Sequence, residues 1–203
     1  MIKKITFLFF SFLFGACSSN YSPKPMSYFY IDIEDHSYYP FSDYPQFEFD
    51  ISTQAEVREI PLHIPSKSVD KQKETYIAGE KWFNIIYPSL NAQIYCSYIP
   101  VTKNNLTKIS EESRKFAYLH IAKASAVQEQ MFENAGKKVY GLVYEIKGNV
   151  ASPLQFVVTD SVKSFFRGAL YFDNIPNRDS IAPVLEYIYE DIRVLINNFR
   201  WKI

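Results

Sequence analysis

Residues 163–172 read KSFFRGALYF. Successive side chains of an extended chain point to opposite sides. Phe166, Gly168, Leu170 and Phe172 therefore share one face, and Phe165, Arg167, Ala169 and Tyr171 share the other. The aromatic and apolar composition makes the segment a β-strand. Just before it, SPLQFVVT (residues 152–159) is a second strand, and DSVK (160–163) joins the two. Just after it, PNRDS (176–180) stops the sheet and caps a helix, with Asp179 or Ser180 as the cap and Pro183 in the first turn. Ile181, Val184, Leu185, Ile188, Ile192, Leu195, Ile196 and Phe199 form the apolar stripe of that helix.

Further out, KWFNIIYP (81–88) and AQIYCSYI (92–99) are two strands, and Ser89-Leu90-Asn91 between them suits a hairpin. Leu106, Ile109, Phe116, His120 and Ala124 recur at helical spacing, with Asn104 or Asn105 available as a cap. Residues 126–133, AVQEQMFE, could continue this helix or form a strand. The turn chemistry of NAGK (134–137) favours a strand that turns into KVYGLVYEIK (138–147). Toward the N-terminus, SYFYIDIE (27–34) and QFEFDIS (46–52) alternate as strands, and HSYYPFSDYP (36–45) reads as a loop broken by Pro40 and Pro45. AEVREIPLHIP (55–65) reads as an edge strand because of Pro61, and PSKSVDKQKET (65–75) as a charged excursion. Runs of strands interrupted by two main helices give an α+β class with a largely antiparallel sheet. The order of elements is also similar, by analogy, to a Mog1/PsbP-like layout.

The chain begins Met1-Ile2-Lys3-Lys4 and is almost wholly apolar from Ile5 to Phe14. That is a short basic end followed by the short apolar core of a secretory signal, too short to span a bilayer as a helix. Gly15 and Ala16 are small, and Cys17 follows at once, the pattern of a bacterial lipoprotein signal; Phe14 stands where leucine is usual. The expectation is a signal peptide over 1–16, acylation at Cys17, a polar tether with two prolines over 17–26 and one domain over 27–203. Ser18, Ser19 and Asn20 include no aspartate. They permit transfer to the outer membrane, which leaves outer and inner membrane both open for a periplasm-facing protein. With Cys17 acylated, Cys96 has no partner for a disulfide within the chain and reads as a small buried apolar residue.

Removal of residues 1–16 takes away Lys3 and Lys4, leaving 20 basic against 22 acidic residues. A near-neutral chain with no basic block argues against nucleic acid as a partner. Phe, Tyr and Trp make up 17% of the chain, enough to supply both a core and a binding face.

The segments WFNIIYP, AQIYCSY, AYLH, GLVYEIKGNVAS, QFVVTDS and FFRGALYFDNIPNRDSIAPV, in this order and spacing, resemble the gliding-motility lipoprotein GldD family of the Bacteroidetes. The resemblance runs from about residue 27 to the C-terminus. It implies an envelope lipoprotein needed for gliding and associated with the type IX secretion machinery. It carries over no catalytic residue and no cofactor.

The residues themselves offer no reaction. His36, His63 and His120 are scattered, and neither a metal-ligand spacing nor a GxSxG elbow nor a glycine-rich phosphate loop occurs. Asp160 and Ser161 with His120 supply the residue types of a triad, but a hairpin tip is a poor seat for a nucleophile. His120, on the apolar stripe of the first helix, needs a partner or borders a pocket. Arg167 is the stronger candidate: a charge in so apolar a strand needs a carboxylate or solvent. Glu145, Asp160 and Asp173 are the acids that could meet it. Arg167, with Gly168 clearing space and Tyr171 beside it, is the expected contact for a protein partner or an acidic ligand. An accessory factor predicts an exposed aromatic patch; an anchored enzyme or a small-ligand or glycan receptor predicts a deep polar pocket.

Overall fold

The computed structural model describes residues 33–60, 78–119, 123–173 and 178–202, all within one compact unit, Ile31–Ile203. Cys17, the signal and tether segments, the 65–75 excursion, His63 and His120 lie outside the described residues. The elements are β1 (Tyr38–Phe41), β2 (Phe47–Ser52), β3 (Glu56–Glu59), β4 (Lys81–Tyr87), β5 (Ala92–Pro100), α1 (Leu106–Tyr118), β6 (Ala124–Asn134), β7 (Val139–Gly148), β8 (Leu154–Thr159), β9 (Ser164–Phe172), α2 (Arg178–Asn198) and β10 (Arg200–Trp201). The class is α+β, with an antiparallel sheet and two main helices among the described residues. The larger sheet has seven strands in the order β3-β4-β5-β9-β8-β7-β6, and every neighbouring pair runs antiparallel. A smaller sheet has the order β1-β2-β10.

KSFFRGALYF is the middle strand of the larger sheet, and its two faces enter two separate cores. Phe166 and Leu170 join Phe83, Phe156, Phe47 and Phe49 of the strands, Ile188 and Ile192 of α2, and Phe199 just beyond it. The rings are nested: Phe166 sits 5.3 Å from Phe47 and 5.4 Å from Phe199, centroid to centroid. Full burial of each such ring stabilises the fold by about 1.5–3 kcal/mol. Phe165 faces the other way, with Ile109 of α1 and Val157 of β8. The larger sheet is therefore covered by the small sheet and α2 on one side and by α1 on the other.

Two glycines fit the sheet by close approach. A Cβ on Gly168 would lie 2.3 Å from the ring of Phe156, its cross-strand partner. A Cβ on Gly141 would lie 2.3 Å from Phe132, also its partner, and 2.0 Å from the Val157 carbonyl oxygen. In each case an aromatic ring lies over a glycine and fills its notch.

Several local expectations are corrected. Residues 38–41 form β1 rather than loop; Pro40 is tolerated because β1 is the edge of the small sheet. Ile33 and Glu34, the described part of the 27–34 segment, are in no strand. Helix α1 ends at Tyr118 and Ala124 opens β6, so Ala124 is not on the helical stripe, while residues 126–133 are the strand that the turn chemistry favours. Asn105 precedes α1 but its side chain does not cap it. Its Oδ1 accepts from Thr102 N–H (2.7 Å) and its Nδ2 donates to the Pro100 carbonyl (3.1 Å), closing the loop before the helix. Asp179 and Ser180 lie inside α2, which begins by Arg178. Cys96, by contrast, is buried as expected, its thiol 3.7 Å from the Ile94 carbonyl.

Candidate partner-binding face

The sheet register decides which side chains share the α1 side. Arg167 lies opposite Ser97 on β5 and Val157 on β8, and Ser97 in turn lies opposite Trp82 on β4. Directly paired residues project to the same side. Trp82, Ser97, Arg167 and Val157 therefore form one row, and Asn84, Tyr95, Ala169 and Gln155 the next. Helix α1 covers Val157 and Phe165 but leaves the β4–β5 side of this face open. Trp82 is 43% exposed, Tyr95 40% and Phe116 46%. Tyr171 meets Tyr95 edge-on at 5.1 Å. A ladder of amides runs between the rings: Asn84 Nδ2 donates to Gln93 Oε1 (3.1 Å), and Gln93 Nε2 donates to Asp173 Oδ1 (3.0 Å).

Arg167 sits where this open carpet meets α1. Its guanidinium lies 4.5 Å from the ring centre of Phe116, a cation–π contact. Burial lowers its pKa from the usual guanidinium value, against the attraction of nearby groups such as Glu112. Its Nε is buried and has no hydrogen-bond partner among the described residues. None of the three expected carboxylates pairs with it. Asp160 Oδ1 accepts from the N–H groups of Val162, Lys163 and Ser164 at 2.8–2.9 Å, holding the turn in which Ser161 takes φ +65°. Asp173 is occupied by Gln93. Glu145 is opposite Leu154, whose side chain belongs to the α2-side core, so it points away from Arg167.

Of the residues expected together, Arg167 and Tyr171 share the face. Gly168 points to the opposite side, and the space it clears is filled by Phe156 from within. Asp160 and Ser161 serve the turn. Trp82 and Tyr95 were not singled out by sequence, and Phe116 only as part of a helical stripe. WFNIIY alternates clearly, but Trp82-Asn84-Ile86 and Phe83-Ile85-Tyr87 are both apolar enough to face a core.

A second polar cluster lies across the sheet. The carboxylate of Asp191 on α2 is buried and accepts from Tyr87 OH (3.1 Å) and Tyr38 OH (3.0 Å), and it lies 2.7 Å from His36 Nδ1. The His36 ring stacks on Tyr187 at 4.1 Å. Burial first, then the Asp191 charge, drives the pKa of Tyr87 well above the ordinary phenol value. Beside His36 is an open groove of about 530 Å³, lined by Glu34, Asp35, Pro183, Glu186 and Glu190 among others. Among the described residues, His36 Nδ1 has Asp191 and Tyr38 as its partners, and no Ser, Thr or Cys bonds to it. This cluster ties the start of the described chain to the last helix. Such a pairing across 155 positions leaves no local trace in sequence.

Among the described residues no group of three His, Cys, Asp or Glu side chains could hold a metal ion, and no helix is long and apolar enough to cross a membrane. Comparison with curated proteins gives no match. The family model described as gliding motility lipoprotein GldD matches residues 18–201. That span takes in every described strand and helix, and the chain belongs to the GldD family of gliding-motility lipoproteins.

Proposed function

We propose that the protein is a non-enzymatic assembly or coupling factor of the cell envelope, serving gliding motility and the associated type IX secretion machinery. Acyl chains on Cys17 moor it to a membrane, residues 17–26 hold the 27–203 domain off the lipid, and the domain faces the periplasm. Its partners are other envelope proteins of that machinery. The observation that carries this reading is the face built by Trp82, Tyr95, Tyr171, Phe116 and Arg167. Trp, Tyr and Arg are the residue types that dominate binding energy in protein interfaces. Here they sit on a rigid sheet rather than on a loop, with rings uncovered and one guanidinium nitrogen unsatisfied. A partner carboxylate over the guanidinium would pair with its charge in a site already partly shielded from water.

The test is substitution of Trp82→Ala and Arg167→Ala in the native cell. Loss of gliding or secretion with an unchanged melting curve supports the reading. Full function in both variants, or loss that only tracks unfolding, counts against it. Trp82 is the safer probe, since its exposed ring contributes little to the core.

A further inference from the structure

The two edges of the seven-stranded sheet are unlike. At one, β3 is four residues long and carries Glu56, Arg58 and Glu59. Short length and charge are ordinary means of blunting an edge. At the other, β6 runs for eleven residues, Ala124–Asn134, or about 37 Å at the rise of an antiparallel strand. It pairs with β7 along its whole length, with one irregularity between Ala124 and Ala126. Its side chains are mostly exposed, Met131 at 82%. It contains no proline, no lysine and no arginine. Among the described residues no backbone group other than those of β7 bonds to it. Among the described residues, the side away from β7 thus presents a long row of N–H and C=O groups with none of the usual protection.

Charge decides what can use it. Between Lys123 and Lys137, β6 carries two acids, Glu129 and Glu133, and no base. Both lie on the α1 side, where Glu129 is also held by Tyr118 OH at 2.6 Å and lies 4.0 Å from Arg114 Nε, which leaves Glu133 as the acid with no cation paired to it among the described residues. Two copies pairing through β6 would crowd four carboxylates onto one ribbon. In the antiparallel register centred on Met131, each Glu129 would directly oppose a Glu133, which is destabilising. The same two acids favour a strand with cationic side chains on alternate positions. We propose that β6 is a strand-addition site for an extended, cationic segment of a partner protein. The backbone ladder supplies the binding, and the Glu129–Glu133 pair disfavours self-pairing in the register centred on Met131. This site is separate from the Trp82–Arg167 face and stands or falls independently of it.

The probe is a short blocked peptide alternating lysine and valine, added to the full-length protein. Controls are the same peptide methylated at every backbone nitrogen and a glutamate–valine counterpart. The readout is amide hydrogen exchange. The lysine peptide should slow exchange across residues 124–134 and leave 56–59 unchanged, because half of the β6 amides gain a partner. The methylated peptide keeps its charge but cannot donate, and should give no protection. Glu133→Lys, whose side chain is exposed, should weaken the lysine peptide by roughly threefold to tenfold and improve the glutamate peptide. Equal protection by the methylated peptide would reduce the effect to bare charge and overturn the proposal. So would no protection by any peptide, or protection of β6 that grows with protein concentration alone.

Discussion

Replacing Asp191 with alanine tests whether the cluster across the sheet holds the fold together. The carboxylate takes hydrogen bonds from Tyr87 and Tyr38 and contacts His36 at 2.7 Å. Tyr87 is 2% exposed, so its hydroxyl would be left without a partner away from water. A bond to a charged acceptor in that setting contributes about 1.5–3 kcal/mol. Tyr38 and His36 reach solvent, and water would replace their lost partner, so each adds about 0.5–1 kcal/mol. The sum is about 2.5–5 kcal/mol, overlapping the range for removing one partner of a buried charged pair. For a domain of this size that lowers the melting temperature by roughly 10 °C. Urea unfolding followed by tryptophan fluorescence would measure it, with Tyr87→Phe expected to lose only the single bond, about 1.5–3 kcal/mol. A loss under about 1 kcal/mol for Asp191→Ala would refute the reasoning, since a buried acceptor of several bonds cannot be silent.

Other consequences are equally open to measurement. Gly168→Ala places a methyl 2.3 Å from the Phe156 ring and should cost about 1–3 kcal/mol by overpacking. Gly136→Ala, where the nearest atom is a side-chain oxygen at 3.6 Å, should change stability by less than about 0.5 kcal/mol. Burial raises the pKa of Tyr38, Tyr44, Tyr87, Tyr144 and Tyr187 above the ordinary phenol value. In the unfolded chain these groups ionise near pH 10. Their contribution to stability is therefore complete below about pH 10 and lost as pH rises toward the folded values. Phenolate absorbance should show a late phase that coincides with loss of ellipticity, and complete titration without unfolding would contradict this. Burial likewise pushes the Cys96 thiol far above its usual range. Cys96 should ignore a thiol reagent in the native state and react on unfolding.

Much of the fold was legible because the strands announce themselves by alternation. KSFFRGALYF, QFEFDIS and the pair KWFNIIYP and AQIYCSYI occupy the places their patterns require. Errors arose where local chemistry was ambiguous. HSYYPFSDYP carries two prolines and reads as loop, yet an edge position excuses Pro40. Phe116 matches a helical stripe by spacing, but α1 turns it outward to meet Arg167. The binding face was legible only in part. Arg167 stood out as a charge in an apolar strand, whereas Trp82 and Tyr95 became neighbours of that charge only through the register of β4, β5 and β9. The link between His36 and Asp191 depends on where α2 lies, which no local pattern records.

The most direct test of the account is site-specific photocrosslinking in living cells. The photoreactive residue is placed at Trp82 or Tyr95 on the open face, and at Arg193 on the exposed side of α2 as a control. The account predicts that positions 82 and 95 capture the same envelope protein and that position 193 does not. Capture from 193 alone, or no shared product from 82 and 95, would contradict it.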